Sequence, residues 1–200
     1  MRGILFVLSG PSGTGKGTVC KELLKCEDIR LNLSVSATTR DCREGEVPGE
    51  TYHYVSLDTF KNMIDEEEML EYAQYNGNYY GTPKKSVETL LESGRDVLLE
   101  IEPQGALQVK RICPEAVLIF LIPPSMKELK RRLVARGRES LEEIDERIKT
   151  SRWELKQADK YAVHIVNDDL DKCVSDVRAY IDEKRDEQKK IQTLINERVD

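Results

Sequence analysis

The sequence predicts an α/β fold in which a parallel sheet core carries helices on both faces. Four apolar runs are typical of strands buried on both sides, at residues 3–9, 97–101, 116–122 and 161–166. Helical stretches alternate with these strands, and the first helix is predicted over residues 16–25. Such alternation favours parallel strands joined by crossover helices.

A glycine-rich loop lies between the first predicted strand and the first helix. Gly10, Gly15 and Lys16 fit the pattern G-x-x-x-x-G-K. Glycines let successive backbone N–H groups face a phosphate, the helix adds its positive N-terminal end, and the lysine adds a point charge. The loop therefore predicts a P-loop NTPase-type core, and an incidental glycine turn is the weaker alternative.

One position of this loop departs from the usual pattern. A Ser or Thr normally follows the lysine and helps to hold Mg²⁺, but here Gly17 follows it and Thr18 comes one residue later. Either the metal relies mainly on nucleotide phosphates and waters, or the loop has kept only a binding or structural role. The loop by itself leaves both possibilities open.

A polar and aromatic stretch interrupts the alternation at residues 34–80. It predicts two short strands with a helix between them, capped by Asp58, and a turn at Asn76-Gly77. We expect a small lobe inserted into the core at about residues 34–83.

A second insertion is expected at about residues 125–150. Ser125 is placed to cap its first helix, and Ser140 with Glu143 forms a capping-box pattern before a long helix. The core is then about residues 1–33, 84–124 and 151–182, all within one domain of 1–200. Residues 183–200 predict a charged, solvated helix.

The composition excludes several classes of protein. The chain has 200 residues and a formal net charge of −6, so it carries no bulk basic field for nucleic acid. Its apolar runs fall short of the roughly 20 residues of a membrane span, and we expect no signal peptide. Five cysteines without a C-x-x-C pair favour reduced thiols in a cytoplasmic protein over disulfides or a zinc site.

Hydroxyls and arginines are dense in residues 34–55. Arg40 and Arg43 are three residues apart, and Tyr52 follows. Two guanidinium forks and a phenol suit a phosphate monoester. Taken alone, the segment is equally compatible with an ordinary polar loop.

Several motifs in order resemble guanylate kinase. G-P-S-G-T-G-K at 10–16 precedes S-V-S-A-T-T-R-D-C-R-E-G-E-V-P-G-E-T-Y at 34–52, E-Y-A-Q-Y-N-G-N-Y-Y-G-T at 71–82 and I-V-N-D-D-L-D at 165–171. The similarity covers about residues 3–182. It implies a core with a nucleoside monophosphate lobe and a mobile lid, and it implies Mg²⁺-dependent transfer of the γ-phosphoryl group of ATP to GMP, and to dGMP.

The resemblance also implies site residues and partners. The ATP-binding residues would be Gly10, Pro11, Ser12, Gly13, Thr14, Gly15, Lys16, Gly17, Thr18 and Asn167. The GMP-binding residues would be Ser36, Arg40, Arg43, Tyr52, Glu71, Tyr80, Gly81, Thr82 and Glu102. The catalytic residues would be Lys16, Arg40, Arg136 and Arg147. ATP and GMP or dGMP are the expected partners, with no nucleic acid, membrane or obligate protein partner.

The positions that match guanine-reading residues of the family make chemical sense. A carboxylate at Glu71 can accept from N1–H and the 2-amino group, while hydroxyls at Ser36 and Thr82 can donate to O6. Adenine would present an acceptor to the carboxylate and leave buried groups unpaired.

Glu100 and Glu102 lie at the carboxyl end of a predicted strand, where ligands of open α/β sheets bind. Because Glu100 and Glu102 are two residues apart, their side chains lie on the same face of the strand. The family usually has Asp at both positions, so reach differs here while charge is kept. We expect Glu102 near the acceptor and Glu100 near a metal-bound water. No direct protein ligand of the metal is assigned, and Thr18 is the other candidate through water.

Arginines are concentrated in the predicted lid. Arg136 and Arg147 match the family positions that neutralise charge on the transferred group. For Arg131, Arg132 and Arg138 we expect ordinary solvated positions.

Two alternatives compete with a guanylate kinase. One is a catalytically silent module that binds protein partners, which the retained Lys16, Arg40 and Arg43 argue against. The other is a kinase for another monophosphate, which Ser36, Glu71 and Thr82 argue against. The predicted mechanism is in-line transfer without a covalent intermediate, because the GMP phosphate is itself an anionic nucleophile.

Overall fold

The computed structural model describes residues 1–75, 77–135, 137 and 140–199. Its strands are β1 Leu5–Ser9, β2 Leu31–Leu33, β3 Ala37–Thr38, β4 His53–Tyr54, β5 Met69–Tyr75, β6 Asn78–Pro83, β7 Asp96–Glu100, β8 Val117–Ile122 and β9 Val163–Val166. Its helices are α1 Lys16–Leu24, α2 Leu57–Asp65, α3 Lys84–Glu92, α4 Pro103–Ile112, α5 Met126–Ala135, α6 Leu141–Leu155 and α7 Leu170–Val199.

The larger sheet is parallel and has the order β2-β7-β1-β8-β9. Strand β1 lies at its centre and alternates its side chains between two apolar layers. Phe6 and Leu8 pack in the layer under α1 and α7, while Leu5 and Val7 pack in the layer under α3 and α4. Both faces of β1 are therefore buried, as the unbroken apolar run predicts, and the predicted α/β class is confirmed.

A smaller sheet belongs to the segment 34–83. Its order is β4-β3-β6-β5, with β5 and β6 antiparallel. Ala37, Phe60 and Met69 form a separate apolar cluster beneath it. Of the predicted turn at Asn76-Gly77, Asn76 lies outside the described residues and Gly77 has a φ of 77°.

Helix N-termini follow the sequence with one exception. The Ser125 hydroxyl accepts from the backbone N–H of Glu128 at 3.1 Å, and Ser140 with Glu143 forms the predicted capping box. The prediction that Asp58 caps α2 is wrong. Ser56 is the N-cap, because its extended backbone lets its hydroxyl accept from the N–H of Thr59, while Asp58 is already in the first helical turn.

Helix α7 is continuous from the core to the end of the described chain. Its first half is buried through Cys173, Val177 and Ile181. The stretch 183–199 continues this helix, and Arg185 ties it to the sheet by donating to Asp96 at 2.6 Å. No helix in the described part of the chain is long and apolar enough to cross a membrane.

Candidate active site

The glycine loop joins β1 to α1 and is held in place by the side chains of Thr14, within the loop, and of Asn167. The Thr14 hydroxyl donates to the Pro11 carbonyl at 2.7 Å, and the Asn167 amide donates to the Thr14 carbonyl at 2.7 Å. Gly15 has a φ of 96°, and a Cβ there would lie 2.6 Å from Nδ2 of Asn167. Asn167 is buried and supports the back of the loop.

Lys16 folds back across this loop. Its Nζ donates to the Gly10 carbonyl at 2.6 Å and to both carboxylate oxygens of Glu102 at 3.1 and 3.2 Å. Its side chain is only 8% exposed. The cation is therefore compensated by Glu102 at the N-cap of α4, so Lys16 and the residue expected near the acceptor are in direct contact.

The Glu100 carboxylate lies close to the backbone of Gly17. A Cβ at Gly17 would lie 3.2 and 3.4 Å from the two carboxylate oxygens of Glu100, so a side chain at residue 17 would crowd that carboxylate. Thr18 is exposed. The described residues contain no group of three or more His, Cys, Asp or Glu side chains suited to a metal.

Aromatic rings surround Arg40 in the inserted lobe. Its guanidinium lies 5.5 Å from the Tyr52 ring centre and 5.9 Å from that of Tyr54. Tyr52 and Tyr80 meet edge to face with centres 6.0 Å apart. Burial, followed by the charge of Glu100, raises the pKa of Tyr52. The structure thus brings Arg40, Tyr52 and Tyr80 together, whereas Arg43 is exposed.

Glu71 is a buried carboxyl group at the start of β5, 5% exposed. The Thr82 hydroxyl donates to it at 2.7 Å. Burial raises its pKa to about 7, against the opposing effect of the hydrogen bonds from Thr82. The Thr82 hydroxyl proton expected for guanine O6 is thus engaged by Glu71 here. Ser36 is half-buried just before β3, and Gly81 is buried on β6.

Gly105 lets helix α4 of the core pack directly against the Glu71 carboxyl group. The sequence analysis did not single out this glycine. A Cβ at residue 105, in the first turn of α4, would lie 2.3 Å from Oε2 of Glu71. Only a glycine leaves that space. The signal was a glycine inside a helix, which is unfavourable without a packing reason.

Helices α5 and α6 contact the loop and its supporting residue Asn167 through arginines. Arg147 on α6 donates to the Ser12 hydroxyl at 3.3 Å. Arg132 on α5 donates to the Asn167 carbonyl at 3.0 Å, so the expectation of a solvated Arg132 is wrong, because the carboxyl end of β9 offers it an acceptor. Arg131 is exposed and pairs with Glu128. Arg136 and Arg138 lie outside the described residues.

Glu154 is a second residue that sequence reasoning missed. It is 6% exposed on α6. Burial, followed by the charge of Glu102, raises its pKa to about 7, while Lys16 acts in the opposite direction. Glu154 follows Arg147 by seven residues, a spacing that places both on one helix face. That spacing was the available signal.

Comparison with known proteins identifies the family. A sequence model described as guanylate kinase matches residues 2–184. The chain belongs to the guanylate kinase family. The guanylate kinase of Clostridioides difficile (strain 630) is 47% identical over 197 residues, covering 98% of this chain and 96% of the relative. A guanylate kinase of Thermus thermophilus is 52% identical over 185 residues, covering 92% of this chain and 83% of the relative.

A solved guanylate kinase agrees with the fold. The crystal structure of guanylate kinase from Anaplasma phagocytophilum has a TM-score of 0.75 and 32% identity, and the match covers 92% of this chain and 86% of that one. Membership in the guanylate kinase family makes this chain a nucleotide kinase, and the reaction of that family is ATP-dependent phosphorylation of GMP. The resemblance inferred from the ordered motifs is thereby confirmed.

Proposed function

We propose that this enzyme transfers the γ-phosphoryl group of ATP to GMP, and also to dGMP, by direct in-line displacement. The observation that carries the proposal is the contact of the P-loop lysine with Glu102 at the carboxyl edge of the core sheet, where β7 ends at Glu100. The lobe lies beside this edge, since burial and then the charge of Glu100 raise the pKa of Tyr52. Donor and acceptor phosphates would meet at that edge. Nothing we assign reads the ribose 2′-hydroxyl, so dGMP should also serve.

On the donor side, residues 10–18 would surround the ATP phosphates with backbone N–H groups. Lys16 would exchange its bond to the Gly10 carbonyl or to Glu102 for a phosphate oxygen, bringing its charge to the transferred group. Asn167 would contribute by fixing the loop at Thr14. Arg147, already at Ser12, and Arg136 would add positive charge as the lid at about 125–150 closes.

On the acceptor side, the lobe at about 34–83 would hold GMP at both ends. The phosphate ligands would be Arg40, Arg43, Tyr52 and Tyr80. The guanine ligands would be Ser36, Glu71 and Thr82, with Gly81 beside them and Glu102 facing the acceptor from the core. Ionised Glu71 would accept from two guanine donors, which would offset the cost of its burial.

Magnesium bound with ATP would neutralise charge between the β- and γ-phosphates. Glu100 would accept a hydrogen bond from a metal-bound water, with Thr18 nearby. The proximity of the Glu100 carboxylate to Gly17 supports this arrangement.

A steady-state assay with ATP and Mg²⁺ tests the proposal against four acceptors, GMP, dGMP, AMP and UMP. We expect GDP and dGDP and little else. Folded protein that makes no GDP would refute the proposal, and preference for AMP or UMP would indicate a kinase for another monophosphate.

Two variants then test the assignments. Lys16→Ala should abolish turnover and leave GMP affinity nearly unchanged, with the exposed Lys21→Ala on the same helix as control. Glu71→Ala should reduce the preference for GMP over AMP.

A further inference from the structure

Glu46, in the loop between β3 and β4, accepts hydrogen bonds from three residues. The Arg40 guanidinium donates to it at 2.8 and 3.0 Å, and the Arg43 backbone N–H and the Tyr54 hydroxyl each donate at 2.8 Å. Arg40, followed by the Arg43 N–H, lowers the pKa of Glu46 to about 2. The carboxylate is therefore charged at any physiological pH.

Glu46 fixes the guanidinium of Arg40 before any ligand arrives. The pair is bidentate through the two terminal nitrogens, and the two side chains are only 11% and 20% exposed. The Asp41 carbonyl accepts a further bond from Nη1 at 2.6 Å. An arginine held in this way has little conformational freedom left to lose when it binds an anion.

The same carboxylate closes the turn that carries the second arginine. The Glu46 backbone N–H donates to the Arg43 carbonyl at 3.1 Å, while its side chain accepts from the Arg43 N–H. This ring of two bonds fixes where the main chain of Arg43 lies relative to Arg40. Spacing between the two arginines thus depends on Glu46.

We propose that Glu46 is a positioning residue for the acceptor phosphate, which holds Arg40 ready to bind it and closes the turn that presents Arg43. This inference rests on the proposed function, because it takes Arg40 as a ligand of the GMP phosphate. Glu46 could instead occupy the phosphate's place and be displaced by it. The bond from the N–H of its own turn argues against displacement, because leaving would break that turn.

Glu46→Gln is the test, because it removes the charge and keeps the shape. Calorimetric titration compares GMP with guanosine, which presents the same base without the phosphate. We expect the Kd for GMP to rise about 10- to 100-fold, as loss of a charge-assisted pair implies. The Kd for guanosine and the KM for ATP should stay near the wild-type values.

The outcomes separate positioning from general support of the lobe. An equal loss of guanosine binding would overturn the proposal, because Glu46 would then maintain the whole lobe. Unchanged or tighter GMP binding would also overturn it, and tighter binding would indicate a displaced carboxylate. Tyr54→Phe is the matched control, since it removes one bond to Glu46 and leaves the Arg40 pair, and GMP affinity should change little.

A double-variant cycle separates this inference from the function on which it rests. Arg40→Ala alone should weaken GMP binding, and adding Glu46→Gln to it should weaken binding no further. Additive losses would overturn the positioning role and leave the phosphate site in place. Unchanged GMP affinity in Arg40→Ala would overturn both the positioning role and the assignment of Arg40.

Discussion

At the scale of single residues, the fold controls the charge of Glu71 most directly. The carboxyl group is buried between β5 and α4, with the Thr82 hydroxyl as its hydrogen-bond donor. Its pKa of about 7 means that the folded protein favours the protonated form. Ionisation of Glu71, which the proposed contact with guanine needs, therefore acts against stability in the absence of a nucleotide.

The free-energy cost of ionising Glu71 in the folded protein should appear as a pH-dependent difference in stability between Glu71→Gln and wild type. The pKa of Glu71 is higher in the folded protein than in the unfolded chain. The contribution of Glu71 to stability is therefore complete below about pH 4.5 and is lost as pH rises through about 7. Relative to wild type, the free energy of unfolding of Glu71→Gln should increase by up to about 3 kcal/mol between pH 4.5 and pH 8.5. Urea unfolding at both pH values measures it.

The exposed Glu66→Gln, at the C-cap of α2 in the same lobe, is the matched control. A pH dependence as large for Glu66→Gln as for Glu71→Gln would show that the effect does not come from the burial of Glu71. A pH-independent difference for Glu71→Gln would contradict the buried, protonated carboxyl group.

Local chemistry explains which site residues could be predicted from the sequence. The P-loop residues are contiguous, so Lys16 and its glycines could be recognised within one short segment. The contact between Gly105 and Glu71 joins residues distant in the chain, and so do the contacts of Lys16 with Glu102 and of Glu154 with the loop. Such contacts exist only once α4 and α6 have packed, and a single sequence does not carry them.

At the scale of elements, the seam between α4 and β5 connects the core to the lobe. Gln108 on α4 donates to the Tyr72 carbonyl at 2.9 Å and accepts from its N–H at 3.2 Å. Its amide thus pairs with the free edge of β5 as a neighbouring strand would. Gly105, one turn earlier on α4, leaves space for the Glu71 carboxyl group at the same contact between α4 and β5.

Gly105→Ala should displace Glu71 from its place against α4. The added methyl would clash with Oε2 of Glu71 at 2.3 Å, and the Kd for GMP should rise about tenfold or more, which corresponds to one lost hydrogen bond. Calorimetry with GMP and with ATP measures the effect, and ATP binding should not change. In a Glu71→Ala background the same substitution should have no further effect. A loss that persists there would contradict the clash.

Beyond the buried first half of α7, Arg185 forms an ion pair between this helix and the large sheet. Arg185 donates to Asp96, whose other oxygen accepts from the Ile4 N–H at 2.7 Å, and Arg185 also donates to the Ile29 carbonyl. Both partners of the ion pair are mostly buried, at 16% and 13% exposed.

Arg185→Ala should lower the free energy of unfolding by about 2–3 kcal/mol, because it leaves Asp96 partly unpaired. Urea denaturation is the measurement. Lys189→Ala, one turn later and exposed, should change stability by less than about 0.5 kcal/mol. If Arg185→Ala lowers stability as little as Lys189→Ala does, the Arg185–Asp96 pair does not anchor the helix.

Element predictions succeeded where a signal was local and failed where packing decided. Ser140 and Glu143 define their helix start within one short segment, and the capping box is present. At α2 the neighbouring Ser56 and Asp58 both qualify as caps, and the backbone path out of β4 decides between them. The charged composition of 183–200 predicts a helix, but Arg185 reaches the sheet only because α7 lies across it.

At the scale of the whole molecule, a small apolar cluster under the lobe is separate from the two apolar layers of the large sheet. The layers on either side of the large sheet do not include the cluster of Ala37, Phe60 and Met69 under the lobe. Phe60 is fully buried and packs on Tyr79 with ring centres 5.5 Å apart. Leu70 of β5 packs in the core layer under α3 and α4, so the part of the lobe around β3, β4 and α2 can lose order without the core following.

Phe60→Ala should open the lobe selectively. Removal of a buried phenylalanine costs about 3–5 kcal/mol, which exceeds what so small a cluster can supply. Hydrogen exchange should accelerate in β3, β4 and α2 and stay slow in β1, β7 and β8, while GMP binding is lost and ATP binding remains. Exchange that accelerates equally in the core strands would contradict independent cores.

The central position of β1 has a consequence for biosynthesis. Leu5 pairs with Val97 and Phe6 pairs with Val117, so β1 leaves the ribosome well before the two strands with which it pairs. All four strands of the lobe lie between them in the chain and are synthesised first. We expect the nascent chain to assemble its acceptor lobe before its central sheet exists, with apolar β1 exposed in the interval and available to chaperones.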